Sequence, residues 1–348
     1  MQANNKDNFT LPPYKAEDIA ISLSQSMDWG LRKMHIPKMW NSTRGEGVTV
    51  VVIDTGFPGK ENHVHPDLEG NVPEKESLSF VPGESKYDSV AGHSTAACGI
   101  IAAKDNQLGF VGYAPKAKVI CLKAMSNNGR GNLTNIELAL SYAIKIKPDI
   151  VSMSLGSTKG SAIMHELIQE LDSMGIPVVV SAGNGGEKQG VLYPAKYEEC
   201  FAIGAYDSDG KIASFSAVGP EVDFAFPGVN IATTYLNDGY AAVSGTSFAC
   251  PACVGLMALI ISKHKKDVAK GKEAEYTSTM DIYNILKSMA ANPNEPNKKD
   301  VYFGWGIVDV SNLGKTQVDV NDSPEDTKYR TPIRKFLYSV KKFFTSIF

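Results

Sequence analysis

The sequence predicts an α/β protein built in three layers, a mostly parallel sheet with helices on both faces. Three observations carry that expectation. Short, β-branched apolar runs recur along the middle of the chain, helical patterns separate them, and the two alternate as strand–helix–strand. Such alternation favours parallel pairing through helical crossovers. At 348 residues, 43% of them hydrophobic, the chain is long enough for one large domain with a substantial core and terminal extras.

Taken in order, V-T-V-V-V-I-D-T-G at 48–56 has the length and branching of a buried strand ending in a glycine turn. The runs 118–122, 149–155, 176–182 and 200–205 read the same way. Helices are expected over 94–103, 133–146 and 161–174. In the last of these, Ile163, Leu167, Ile168, Leu171 and Met174 fall on one face. Residues 247–263 are apolar nearly all round and predict a buried helix despite Pro251, with Ser247 at or just before its start. The composition changes at both ends. Residues 1–20 are polar with a Pro-Pro pair and form a leader, 21–313 the main domain, 314–330 an acidic, solvated linker, and 331–348 a basic amphipathic helix.

A formal net charge of −3 lacks the basic excess of a nucleic-acid-binding domain, so no nucleic-acid partner is expected. Residues 1–20 lack the apolar core of a secretory signal, and no stretch is long enough to span a membrane. Five cysteines, an odd number, read as reduced thiols. The expected location is therefore cytoplasmic, without a signal peptide for secretion.

Amide hydrolysis at neutral pH needs a nucleophile, a base, a group that orients the base and donors for the oxyanion. Asp54 closes a buried strand in V-I-D-T-G, where a carboxylate is costly unless it has partners. His93, in G-H-S-T, heads a helix, and Ser247, in S-G-T-S-F-A-C-P, stands at the mouth of the buried one. Each motif alone is commonly structural; the set, each member at the end of an element, carries the chemistry.

With these segments the chain resembles the subtilisin-like serine proteases, and in organisation the intracellular members most. The likeness runs from about residue 24 to 312. It includes G-Y-A-P at 112–115, V-S-M-S-L-G at 151–156, S-A-G-N at 181–184 and Y-P-A-K-Y at 193–197, then F-P-G-V at 226–229 and F-G-W-G-I-V-D at 303–309. The order Asp…His…Ser is that of subtilisin. The resemblance implies a subtilisin-like fold and a serine endopeptidase acting through an acyl-enzyme on protein or peptide substrates. Ser247 would be the nucleophile, His93 the base and Asp54 its orienting partner, with Asn184 as an oxyanion donor. It implies that Ser154, Leu155 and Gly156 pair with the substrate backbone and that Gly129 and Gly131, either side of Arg130, form the opposing wall. Leu192 would stand near the floor of the specificity pocket. Some positions depart from the family's pattern: Ser94 replaces a glycine, Ala96 a second histidine, Phe248 a common methionine and Ala252 a common histidine. These bear on pocket shape and rate. The rival reading is a catalytically silent, peptide-binding relative.

The resemblance further implies structural calcium and no organic cofactor. Gln25, Asp67 and Asn106 match a calcium site of the family, with carbonyls of Lys104, Leu108 and Phe110, and such an all-oxygen set suits Ca²⁺. His63 and His65, beside Asp67, read as solvated histidines rather than metal ligands. Residues 9–14 (F-T-L-P-P-Y) are similar to the short leader of intracellular subtilisins, with Leu11, Pro13 and Tyr14 corresponding and Pro12 in place of isoleucine. Such a leader lies across the active site, and its proline makes a poor substrate. Leader loss between 15 and 23 would then activate a zymogen. Residues 333–348 place Ile333, Phe336, Leu337, Val340, Phe343, Phe344 and Ile347 on one helical face, with Arg334, Lys335, Lys341 and Lys342 on or beside the other. That pattern suits a membrane surface, a partner protein or the body of the protease itself. A homodimer, as some intracellular relatives form, is the assembly the resemblance allows.

Overall fold

In the computed structural model, which describes residues 8–20, 24–272 and 276–312, the apolar runs form one sheet and the polar leader docks outside it. The chain opens with β1 (Asn8–Thr10) and β2 (Lys15–Asp18), then α1 (Trp29–Lys33) and α2 (Pro37–Trp40). The first core strand, β3 (Thr49–Asp54), is followed by a small hairpin, β4 (Gly59–Lys60) and β5 (His63–Val64), and by β6 (Leu78–Ser79). Next come α3 (His93–Ala102), β7 (Lys118–Lys123), β8 (Arg130–Asn132), α4 (Leu133–Ile146), β9 (Ile150–Met153) and α5 (Ala162–Ser173). Then follow β10 (Val178–Ser181), α6 (Gly186–Gln189), β11 (Cys200–Tyr206), β12 (Phe224–Pro227), β13 (Ile231–Thr234) and β14 (Tyr240–Ser244). The long α7 (Thr246–Ala269), α8 (Thr279–Met289), β15 (Ala290–Ala291) and β16 (Ile307–Val308) complete the described part.

Nine strands form the central sheet in the order β15-β16-β12-β11-β10-β9-β3-β7-β6, parallel except for the β15–β16 pair. Both faces are covered, as the continuous apolar runs require. Along β3, Val50 and Val52 enter one core with α3, α7 and α8, while Val51 and Ile53 enter another with α4 and α5. That alternation is the period-two geometry of a strand buried on both sides. The three-layer expectation is thus met.

Several boundaries differ from the sequence reading. The helix expected over 94–103 begins at His93 itself, and the helix expected over 247–263 runs on to Ala269. Its last two turns are charged rather than apolar, and Lys263 pairs with Asp267 four residues on at 2.6 Å. All five cysteines are free thiols and buried. Cys250 and Cys253 stand in a C-x-x-C spacing, and both are buried on α7. Among the described residues α7 alone is long and apolar enough to cross a membrane, and its apolar stretch is buried inside the protein. The linker 314–330 and the basic segment 331–348 lie outside the described residues.

Candidate active site

Asp54 ends β3 in the middle of the sheet, with no exposed surface. Its Oδ1 accepts the Thr55 N–H at 2.6 Å, and both carboxylate oxygens lie 2.9 Å from His93 Nδ1. A carboxylate only accepts, so Nδ1 carries a proton, and in the neutral ring Nε2 is then the accepting nitrogen. His93 is the first residue of α3, and its place depends on how that helix starts. The residue before it, Gly92, has φ +69° and no side chain to cap the helix, and a Cβ there would fall 2.6 Å from the Tyr235 ring. Asp88 supplies the cap. Its carboxylate accepts from Gly92 N at 3.0 Å, Thr95 N at 2.9 Å and Thr95 Oγ at 2.8 Å, while its own N–H donates to the Phe57 carbonyl. Burial pushes the Asp88 carboxyl up from its ordinary range, and the Thr95 donors oppose that. Thr55 makes a second link, its hydroxyl accepting Ser94 N–H at 3.1 Å.

Ser247 is the second residue of α7 and fully buried. The neighbouring Thr246 donates through both its N–H (2.9 Å) and its hydroxyl (2.7 Å) to Asn184 Oδ1. Because a backbone N–H can only donate, the oxygen of Asn184 faces α7 and its Nδ2 faces the cleft. Ser154 Oγ donates to the Ser247 carbonyl at 2.8 Å and ties the end of the β9 strand to the helix start. Ser247 Oγ and His93 Nε2 are both buried and without a hydrogen-bond partner.

The leader runs through this cleft. β1 pairs antiparallel with β8, Phe9 opposite Gly131 and Thr10 opposite Arg130. On its other side Thr10 exchanges two backbone bonds with Gly156, both 3.0 Å, and Leu11 N–H donates to Gly129. Phe9 is buried among Met125, Ile136 and neighbouring core side chains. Pro12 is buried, Pro13 is exposed, and the Pro13 carbonyl accepts from Asn184 Nδ2 at 2.8 Å. Tyr14 packs edge-on to His93 with ring centroids 4.9 Å apart. β2 then pairs antiparallel with β14. Leu192 lies between two of the walls: a Cβ on Gly156 would meet its Cδ1 at 2.8 Å, and one on Gly183 its Cγ at 3.1 Å. Leu155 is buried in the core behind Gly156.

A cation site can be tested against the donors present. Gln25 Nε2 donates to the Lys104 carbonyl (2.6 Å), the Leu108 carbonyl (2.9 Å) and Asn106 Oδ1 (3.3 Å). Three oxygens thus converge on one point, and turning the Gln25 amide over would add a fourth. Asp67 stands beside them, its Oδ1 accepting from Asn106 at 3.0 Å and its Oδ2 from Tyr240 at 2.7 Å. Phe110 is not among the acceptors of the Gln25 amide: it bridges Ser26 through its backbone and packs its ring on Tyr240. The set is all oxygen and fits a hard cation. Among the described residues no three His, Cys, Asp or Glu side chains cluster as metal ligands. His63 is partly exposed and pairs with Asp238 at 2.9 Å, whereas His65, expected to be solvated, is buried, its ring held between the Gly239 carbonyl and the Asp67 N–H.

Sequence reasoning missed Asp88, Thr55 and Thr246, which position rather than react, and the fully buried Lys123. Lys123 Nζ donates to the Thr55 carbonyl at 2.6 Å and to Asn127 at 2.8 Å, and meets Glu84 at 3.3 Å, so it joins the Asp54 turn to the substrate wall. A lysine at the end of an apolar strand was the available signal.

The subtilase family profile matches residues 45–306. The chain is 37% identical over 245 residues to a thermostable alkaline protease of Halalkalibacterium halodurans, covering 70% of this chain and 65% of that protein, just under two thirds of its length. It is 34% identical over 288 residues to subtilisin BL of Lederbergia lenta, covering 82% of this chain and 98% of that protein. It is 34% identical over 299 residues to M-protease of Shouchella clausii, covering 85% and 72%. With a carboxylate–imidazole pair, a serine at a helix mouth and these relatives, the chain belongs to the subtilase family and is a subtilisin-type serine endopeptidase.

Proposed function

We propose that this endopeptidase is made as a self-restrained zymogen, its leader laid through the cleft until proteolysis removes it. The observation that carries the proposal is the Pro13 carbonyl on Asn184 Nδ2, with strand pairing on both sides of it. Proline fixes φ and offers no N–H, so a Pro-Pro pair at this point resists the geometry of cleavage. In catalysis Ser247 Oγ attacks the scissile carbonyl and passes its proton to His93 Nε2. Asp54 holds the imidazole and stabilises its cationic form. The oxyanion is received by Asn184 Nδ2 and the Ser247 N–H. His93 then protonates the leaving amine, and water repeats the sequence on the acyl-enzyme. Leader-shielded thiol-containing enzymes of this kind suit a cytoplasmic setting, and the free thiols support that placement.

Calcium belongs to the same proposal. Lys104, Leu108, Asn106 and Gln25 would hold it beside Asp67, and the ion would stabilise the loop structurally rather than enter the reaction.

The test is a time course of casein hydrolysis by the full-length chain and by Ser247→Ala, with N-terminal sequencing of samples. The expected result is a lag that ends as the leader is lost, in the parent chain only. Full activity with the leader intact would remove the zymogen reading. An organophosphorus probe that fails to label Ser247 even after leader loss would favour the silent peptide-binder instead.

A further inference from the structure

The geometry points to the leaving-group side of the cleft as a specificity site for an extended peptide with an aromatic residue, tyrosine foremost, directly after the scissile bond. This deepens the reading of the leader as a substrate mimic and rests on it. The residue whose carbonyl meets Asn184 is Pro13, so Tyr14 is the first residue beyond the bond that would be cut. Its ring fits an aromatic cradle. It stands edge-on to His93 at 4.9 Å and to Phe248 at 5.5 Å, and those two rings lie 5.3 Å from each other. Its hydroxyl donates to the Ala91 carbonyl at 2.7 Å, an oxygen that also accepts from Tyr235 at 3.3 Å. The opening between them is kept by Gly245, where a Cβ would come 3.5 Å from Tyr14 Cβ and 3.6 Å from Phe248 Cδ2.

Edge-to-face rings in the 4.5–7 Å range attract beyond their buried area, and a hydroxyl that finds a carbonyl adds selectivity for tyrosine over phenylalanine. Beyond the cradle, Lys15, Ala16, Glu17 and Asp18 pair with Ser244, Val243, Ala242 and Ala241. Only Ala16 turns partly inward against the core; Lys15, Glu17 and Asp18 are exposed. A peptide in the same path would gain affinity from β14 backbone bonds, while its first residue decides preference and its third must be small. Phe248 stands in the sequence where methionine is common in the family, so this cradle is a property of this chain.

The experiment uses quenched-fluorescent peptides identical on the acyl side, with Tyr, Phe or Ala directly after the scissile bond. A chromogenic amide with only the dye beyond that bond is the control. All are assayed with the full-length chain carried through its activation lag. The expected order of kcat/KM is Tyr, Phe, Ala, with Tyr over Ala by roughly ten- to a hundredfold. In Phe248→Met, which keeps bulk but loses the ring, that ratio should fall toward one; the ratio is independent of how much enzyme is folded. In Tyr235→Phe the Tyr-over-Ala preference should remain. A flat ratio with the chromogenic amide still hydrolysed overturns the specificity site and leaves the peptidase standing. No hydrolysis of any substrate overturns both.

Discussion

Asn184 owes its aim to bonds it accepts. Two donors of Thr246 hold its oxygen at 2.7 and 2.9 Å, so its amide nitrogen is fixed toward the cleft before any substrate arrives. Preorganised donors of this kind act where charge develops, at no cost in reorganisation. Asn184→Ala should therefore lower kcat by about a hundred- to a thousandfold, the loss found for such a donor in subtilisin itself, with KM nearly unchanged. Steady-state kinetics check it, and a change confined to KM would assign Asn184 to ground-state binding. Asp88 acts one step further out. Its carboxylate accepts three donors at the start of α3, so Asp88→Asn replaces an acceptor with a group that also presents N–H. The variant should lose about 1–3 kcal/mol of stability in denaturant melts and lower kcat more than it raises KM, because His93 rides on that helix start. Equal stability and rate would show that Gly92 and Thr95 are held without it. Asn184 was legible in the sequence because S-A-G-N is a motif. Asp88 was not, since an acid in a polar loop looks the same whether it caps a catalytic helix or faces solvent.

At the scale of elements, the cleft is bounded by strands that have an open edge. β8 and the Gly156 segment receive β1 between them, and β14 receives β2, so the leader completes pairing on both sides of the Pro13 contact with Asn184. The central sheet was legible because β-branched runs buried on both faces carry a strong signal, and α4 was read to the residue, Leu133–Ile146. The leader strands were not legible as strands. N-F-T and K-A-E-D are short and mostly polar, and they become strands only where an edge meets them. Phe9 is the hydrophobic anchor, 1% exposed. Phe9→Ala gives up burial of one large apolar side chain, about 2–3 kcal/mol of docking, and should shorten the lag in casein hydrolysis. Pro13→Ala should shorten it too, by restoring an N–H and a free φ next to the bond held at Asn184. The two differ in a measurable way. With an added pulse of mature enzyme, the Pro13→Ala leader should be cut between residues 13 and 14, whereas the Phe9→Ala leader should be cut elsewhere along its loosened length. Lags equal to the parent's in both variants would mean that the leader is held by neither feature.

Across the whole molecule, the loop 104–110 joins the leader to the core. Ser26 donates to Gly109, Gln25 reaches Lys104 and Leu108, and Tyr240 of β14 reaches Asp67, so the chain that leaves β2 is fastened to the same oxygens that fit a cation. The oxygens themselves were legible only through the family's pattern, because carbonyl ligands leave no trace in residue identity. Phe110, whose carbonyl was expected among them, does not accept from the Gln25 amide as Lys104 and Leu108 do. An ion that binds the folded chain alone stabilises it by mass action, about 2.7 kcal/mol at a hundred times its dissociation constant. At roughly 2–4 °C per kcal/mol for a domain of this size, the melting temperature in millimolar calcium should exceed that in chelator by about 5–10 °C. The comparison is best made in Ser247→Ala, where self-digestion cannot mimic unfolding. Gln25→Ala should reduce the gap, because it removes the amide on which three oxygens converge, while leaving Asp67 and Tyr240 paired. Magnesium should not substitute, since it demands a tighter octahedral cage than a loop of carbonyls offers. An identical melt with calcium, magnesium and chelator would show that the Gln25 amide alone satisfies these oxygens, and that this subtilase holds its leader-proximal loop by hydrogen bonds where an ion was expected.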